Sequence, residues 1–348
     1  MKEIGEGTQL GRCRLTTMIG QGSMGEVWEA WHTTLGISVA VKVLREPSSE
    51  AENFLHCERF RQEAHLAAMV NHPNLVRVLD FGEEHARPYL VMELVRGPTL
   101  EAWLRQQPTI DERTALNVAG HVCVGLSGLH HFGVVHRDIK PSNVLIEAGQ
   151  RLKISDLGLA RDPSASHSED IAGTPQYLAP ECLIEGSSFD ARSDLYAVGI
   201  ILYRLLMGRL PFQGTTQQVL YSQIWEQPDW TLPEGGRLDG GTLFVLKRLL
   251  EKEPSRRIQS AVEAIQACRE QVQGLDMHER LRRVRASPPE TEVVGDAVAS
   301  RQVRTSPKRT EKGVRWNRAR LAHWMIRVGL GALMMACAFA AGRTMVRP

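Results

Sequence analysis

Cysteine is scarce and unpaired in this sequence: six in 348 residues, none in a C-x-x-C pair and none spaced with histidine as a zinc site would be. That excludes a disulfide-framed domain and a zinc ribbon, and fits reduced thiols in the cytosol. The start, "MKEIGEGTQL", lacks the apolar core of a signal peptide. No internal repeat is visible. The histidine-rich piece "LHHFGVVHRD" has no second ligand cluster to make it a metal site. Acid is nearly absent from the last 48 residues, where Glu311 stands against 11 Lys and Arg, a net of +10. The other 300 residues carry 31 basic and 39 acidic side chains, a net of −8. The basic character therefore belongs to a tail, and the mildly acidic main domain is not built to bind nucleic acid.

The main domain changes character along its length. Residues 10–19, 25–31 and 37–44 read as strands, the last ("ISVAVKVL") rich in β-branched residues. Residues 58–70 have helical apolar spacing and end at Asn71-His72-Pro73. Two more strands follow in "NLVRVLDFGEE" and "PYLVMELV". From about Leu100 the pattern turns helical, over 102–106, 114–131, 194–207, 217–224 and 243–250. The expectation is an α+β protein with a small β-rich lobe followed by a larger helical lobe.

Between the first two strands stands "GQGSMGEVW", with glycines at 20, 22 and 25. A dinucleotide fold needs a helix after such glycines, but "EVWEAWHTTLGISVAVKVL" reads as strand, turn, strand. A P-loop needs a lysine directly after its glycines, and none follows. What remains is a hairpin lid, in which glycines let backbone N–H groups approach phosphates without Cβ clashes. That spacing alone is weak evidence, so its companions decide.

Those companions are "VAVK" with Lys42, "HRDIKPSN", "DLG" (Asp156–Gly158) and "APE" (Ala179–Glu181), in that order. Taken together, the five motifs resemble the protein kinase family, specifically bacterial Ser/Thr kinases of eukaryotic type, over roughly residues 10–271. The resemblance implies the two-lobed kinase fold and phosphoryl transfer from ATP to protein Ser/Thr hydroxyls, a reaction governed by positioning and charge neutralisation. It assigns Asp138 as the catalytic group that orients the acceptor hydroxyl, and Lys140 as the mark of Ser/Thr specificity. Gly20, Gly22, Gly25 and Val27 form the ATP-binding loop, and Lys42 meets the α/β-phosphates. Glu63 holds Lys42, with Glu58 the weaker alternative. Met92 is the gatekeeper, and Glu93 and Val95 offer hinge backbone groups to adenine. Asn143 and Asp156 hold Mg²⁺, with Mn²⁺ as the alternative ion. Asp194 is expected to brace the catalytic-loop backbone or to cap a helix, and Glu181 to pair with Arg257. Arg137 is placed to capture an activation-segment phosphate, with Ser164, Ser166, Ser168 and Thr174 as acceptors; Thr174 has a structural role as its alternative. Leu157 departs from the family's phenylalanine but keeps its apolar role. The alternative function is a catalytically weak pseudokinase scaffold that binds nucleotide.

The remainder divides into a basic disordered juxtamembrane linker over 272–320, a transmembrane helix over 321–342 and a short tail over 343–348. Residues 328–342 carry no charge, and the 22-residue span suffices for a bilayer. Eight Lys and Arg between 301 and 320, against Arg343 and Arg347 beyond the span, put the kinase domain in the cytoplasm of a single-pass cell-membrane protein. With six residues after Gly342, no folded external sensor is expected. Ala332, Ala336 and Ala340 share one helix face, the small-residue spacing of a homodimer in lipid. The expected partners are protein substrates, the membrane and a second copy.

Overall fold

The computed structural model describes residues 4–22, 25–44, 61, 64–65, 67–84, 87–107, 110–149, 151–156, 175–184, 190–232 and 235–286. They belong to a compact unit, residues 1–288. The second unit, 289–348, lies outside the described residues, and with it the segment 321–342. Among the described residues no helix is long and apolar enough to cross a membrane.

The small lobe is a six-stranded antiparallel sheet. Its strands are β1 (Gln9–Leu10), β2 (Cys13–Gln21), β3 (Gly25–His32), β4 (Ile37–Leu44), β5 (Val78–Glu84) and β6 (Arg87–Glu93), in the order β1-β2-β3-β4-β6-β5. β4 lies inside the sheet, and its run of apolar residues fits burial on both faces. Val39, Val41 and Val43 pack with Leu15, Trp28 and Val91 on one side. On the other, Ala40 packs with Leu90, Met92 and Ala64. Ala64 belongs to the helical residues 61, 64–65 and 67–69, so this helix covers the sheet's inner face. Register then sets Val27 opposite Lys42. Because opposed residues project to the same face, the glycine-loop valine and the lysine share one surface.

The large lobe is helical. α1 (Leu100–Gln106) starts at Thr99 and α2 (Glu112–His131) at Asp111, each capped by its side chain. α3 (Ala191–Met207) is almost wholly buried, with a capping box at Asp190 and Ser193 and Gly208 at φ +65° closing its end. α4 (Thr216–Trp225), α5 (Gly240–Leu249) and α6 (Ala261–Ala286) complete it. Between α2 and α3 lies a short hairpin, β7 (Val144–Ile146) and β8 (Leu152–Ile154). It carries too few residues to show an alternation in sequence.

Several expectations change. The strand read over 10–19 is broken by a turn at Gly11 and Arg12 into β1 and β2. β5 begins at Val78, four residues after the start of "NLVRVLDFGEE", because Leu75 and Val76 pair with Ile154 of β8 instead. The helix caps and first turns extend α1, α2 and α3 two or three residues upstream of their apolar patterns, as Ser, Thr and Asp caps allow. The stretch assigned to the linker from residue 272 is helical to Ala286. Val272 and Leu275 pack on the large core, and Arg113 pairs with Asp276. These contacts hold the first turns of that stretch to the core.

Candidate active site

The glycine loop joins β2 to β3. The Gly22 N–H donates to Gly25 O at 2.8 Å, closing the tip. Gly25 has φ +157°, and a Cβ there would lie 2.0 Å from Val43 O. Packing therefore demands glycine at 25. At Gly22 a Cβ would meet nothing, and at Gly20 only Val27 at 3.8 Å. Among the described residues no contact requires glycine at those two positions, so both leave room for close approach by a ligand.

Lys42 is 7% exposed, and its Nζ lies 2.7 Å from Asp156 Oδ1. A buried ammonium needs an opposite charge, and Asp156 supplies one from the large lobe. Burial works to raise the Asp156 carboxyl, but the Lys42 charge and hydrogen bond outweigh it and hold it below its ordinary value. The Asp156 side chain remains 35% exposed, so the carboxylate keeps an open side. Its backbone has φ +57°, a left-handed conformation that is rare outside glycine. Glu63 and Glu58 lie outside the described residues.

Below this pair runs the catalytic-loop segment. Asp138 Oδ2 receives the Lys140 ammonium at 2.7 Å and Asn143 Nδ2 at 3.0 Å. The same Asn143 nitrogen donates to Asp138 O at 2.9 Å. Both amide protons being turned to Asp138, the Asn143 side-chain oxygen is the atom left that could hold a cation. Asn143 O in turn accepts the Ser155 N–H at 2.9 Å, which joins the loop to the residue before Asp156.

Asp194 anchors the loop from α3. Its Oδ2 accepts the His136 N–H at 2.8 Å, and its Oδ1 the Arg137 N–H at 2.9 Å. His130 Nε2 lies 2.8 Å from Oδ2. The bracing role therefore stands and the capping role does not, because Asp190 caps α3. His136 is fully buried, and burial pushes its pKa down despite Asp194 and Asp138. The neutral ring then accepts from Asp138 N–H at Nδ1 and donates to Ser155 O at Nε2.

The segment around "APE" is fixed to the large lobe. Arg257, 0% exposed, pairs with Glu181 through both guanidinium nitrogens at 2.7 and 3.0 Å. Ser193 Oγ donates to the same carboxylate at 2.9 Å. Tyr177 OH accepts from Arg204, whose two terminal nitrogens hold Glu101 of α1 at 2.5 and 2.9 Å. An open groove of about 600 Å³ begins at Lys140 and runs past Gln176 and Tyr177 to Arg204 and Gln213. Sequence reasoning missed this Glu101–Arg204–Tyr177 linkage, which no local spacing announces. Ser164, Ser166, Ser168 and Thr174 lie outside the described residues, as does Leu157.

Comparison with known proteins gives the class of molecule. Residues 14–270 match the protein kinase domain family, and the chain belongs to that family. It is 39% identical over 270 residues to "Serine/threonine-protein kinase pkn2" of Myxococcus xanthus, covering 74% of this chain and 32% of that protein. It is 41% identical over 231 residues to "Probable serine/threonine-protein kinase PknB" of Bifidobacterium longum, covering 62% and 33%. Against "Serine/threonine-protein kinase PknB" of Mycobacterium tuberculosis it is 37% identical over 265 residues, covering 72% and 41%. The catalytic domain is thus of the bacterial Ser/Thr protein kinase kind. The chain spans about a third to two fifths of the length of these relatives.

Proposed function

We propose that this chain transfers the γ-phosphoryl group of ATP to Ser or Thr hydroxyls of protein substrates. The observation that carries the reading is the loop in which Asp138 is held by Lys140 and Asn143, tied through the Ser155 N–H to Asn143 O bond to the residue before Asp156, the partner of Lys42. Asp138 orients the acceptor hydroxyl and takes its proton, while Lys140 balances charge beside it. The glycine loop and Lys42 meet the phosphates, and the backbone of Glu93 and Val95 meets adenine. Asn143 and Asp156 offer the hard oxygen donors that Mg²⁺ takes, with Asp156 kept ionised. Bound there, the ion neutralises charge on the transferring phosphoryl group. The open groove beside Lys140 suits a polypeptide more than a small acceptor. Label transfer from γ-labelled ATP to a protein acceptor, compared with Asp138→Asn, tests the reading. Nucleotide binding without transfer in the wild type would move it to the pseudokinase scaffold.

The sequence supports three further parts of this reading. Residues 321–342 tether the domain to the cell membrane with the catalytic domain in the cytoplasm, and the small-residue face of Ala332, Ala336 and Ala340 brings two copies together. Tethering raises the effective concentration of one activation segment near another active site, which favours autophosphorylation. Arg137 precedes Asp138 and suits capture of a phosphate on Ser164, Ser166, Ser168 or Thr174. Mass spectrometry of the active enzyme finds phosphate on one of these four; none on any would sink autoactivation. The catalytic domain resists external protease in intact cells; its digestion would overturn the topology.

A further inference from the structure

The hinge side of the cleft holds a second ion pair across the lobes, one that phosphoryl transfer as described above does not use. Lys153 of β8, in the large lobe, is 7% exposed. Its Nζ donates to Glu93 Oε1 at 2.7 Å. Glu93 ends β6 and is the hinge residue whose backbone was assigned to adenine. The same Oε1 accepts the Arg77 N–H at 2.9 Å, and the Glu93 N–H donates to Arg77 O at 2.9 Å. Glu93 is thus fixed by backbone to the strap that enters β5, and by side chain to β8.

The strap is itself laced to β8. Leu75 bridges Ile154 in parallel, the Ile154 N–H donates to Asn74 O at 2.8 Å, and the Val76 N–H donates to Ile154 O at 2.8 Å. Asn74 Nδ2 donates to Leu152 O at 2.8 Å. The strand so held runs straight on to Asp156, three residues past Lys153, and Ser155 joins it to Asn143. The segment 152–156 therefore carries the tie to the hinge at the centre of β8 and the candidate metal carboxylate two residues beyond the strand's end.

An ion pair is an odd choice for this place if stability alone mattered. A leucine or methionine would fill the volume, and buried pairs give little net stability over apolar replacements. What a charge pair adds is a fixed distance between two elements that would otherwise slide.

We infer that Lys153 is a positioning residue for nucleotide: through Glu93 it sets the hinge backbone in register with the strand that delivers Asp156. The inference rests on the kinase reading only in taking the hinge as the adenine seat. Freed from Lys153, the hinge backbone and Asp156 no longer hold the two ends of one nucleotide at a fixed separation. Misplacement on the ångström scale is enough to cost affinity and rate.

The test uses the full chain and two variants. Lys153→Met leaves the half-buried Glu93 carboxylate with the Arg77 N–H but without its counter-charge, so it lowers the melting temperature as well as loosening the hinge. Lys153→Met with Glu93→Met removes both charges and recovers stability. In both, the Kd for ADP by titration calorimetry and the KM for ATP rise by roughly tenfold, while the KM for the protein acceptor stays unchanged. Recovery of wild-type ADP affinity together with melting temperature in the double variant would show a merely structural pair and overturn the inference. So would unchanged ADP affinity in folded Lys153→Met. Because ADP binding needs no turnover, a wild type that binds ADP but transfers nothing defeats the kinase reading and still decides this one.

Discussion

Asp194 Oδ1 accepts the backbone N–H of Arg137 at 2.9 Å, and Arg137 sits at φ +67°, a left-handed conformation for a side-chain-bearing residue. Such a conformation costs of order 1–3 kcal/mol and persists only where its surroundings enforce it. Asp194, 2% exposed, is what enforces it, and it does so one residue before Asp138. Asp194→Asn replaces one acceptor oxygen by an amide donor facing backbone N–H groups. The expected loss is about 2–3 kcal/mol of stability, with kcat lowered roughly tenfold or more as Asp138 loses its placement. Thermal melts and steady-state kinetics on the same preparation check both.

Lys42→Met and Asp138→Asn separately abolish transfer by on the order of 10²-fold or more, because charge stabilisation and proton acceptance are each worth that much. Methionine matches the length of the buried Lys42 stem, and the Asp156 carboxylate it leaves without a counter-charge is 35% exposed, so that variant keeps its fold at a lower melting temperature. Near-wild-type turnover of either variant with Mg-ATP would defeat the site assignment. Circular dichroism confirms that the comparison is between folded proteins.

Removing one half of the buried pair in the large lobe has a different signature. Glu181→Ala strands the Arg257 guanidinium, which is 0% exposed and bonded to the carboxylate twice. Breaking a buried pair in this way costs about 3–5 kcal/mol. The double replacement Glu181→Ala with Arg257→Leu recovers much of that loss, as a double-mutant cycle with each single variant by urea denaturation will read. Equal instability of single and double variants would show that the pair's other hydrogen bonds, to Arg192 O and Glu251 O, carry the effect.

Lys252 predicts a pH dependence. Its Nζ donates to Gln223 O at 2.6 Å and Ser222 O at 3.2 Å at the end of α4, and lies 4.3 Å from the Phe212 ring centroid. Burial, reinforced by the Arg257 charge and opposed by Glu226, pushes its pKa down to about 7. Unfolded, the same amine titrates near 10.4. Between these values the unfolded chain binds more protons, so this group makes stability rise with pH from about 7 upward. From about 7.5 upward the thiols oppose it, because they ionise near 8.5 in the unfolded chain while burial raises Cys13 to about 11 and Cys182 and Cys268 to about 12. The thiol contribution is common to wild type and Lys252→Met, so their difference isolates the amine over roughly pH 7 to 8.5. There the unfolding free energy of the wild type climbs more steeply than that of Lys252→Met; parallel slopes would refute the assignment.

What the sequence determined by itself is the set of local features and their order. β4 was legible to the residue, because a strand buried on both faces has to be a continuous apolar, β-branched run. The helices were legible from their apolar period, and the nucleotide and catalytic motifs from residue types whose chemistry is written in short spacing. Tertiary structure alone decided which of these residues meet. Lys42 and Asp156 are 114 residues apart, Arg137 and Asp194 57, Glu93 and Lys153 60, and Arg204 and Glu101 103. No periodicity spans such distances. A charged residue in an apolar run announces that it needs a partner, but the partner is chosen by how the sheet, the hairpin and α3 pack. The same holds for the segment from residue 272, which sequence reasoning sets outside the catalytic domain but which continues its last helix, with Val272 and Leu275 on the large-lobe core and Asp276 paired with Arg113 of α2.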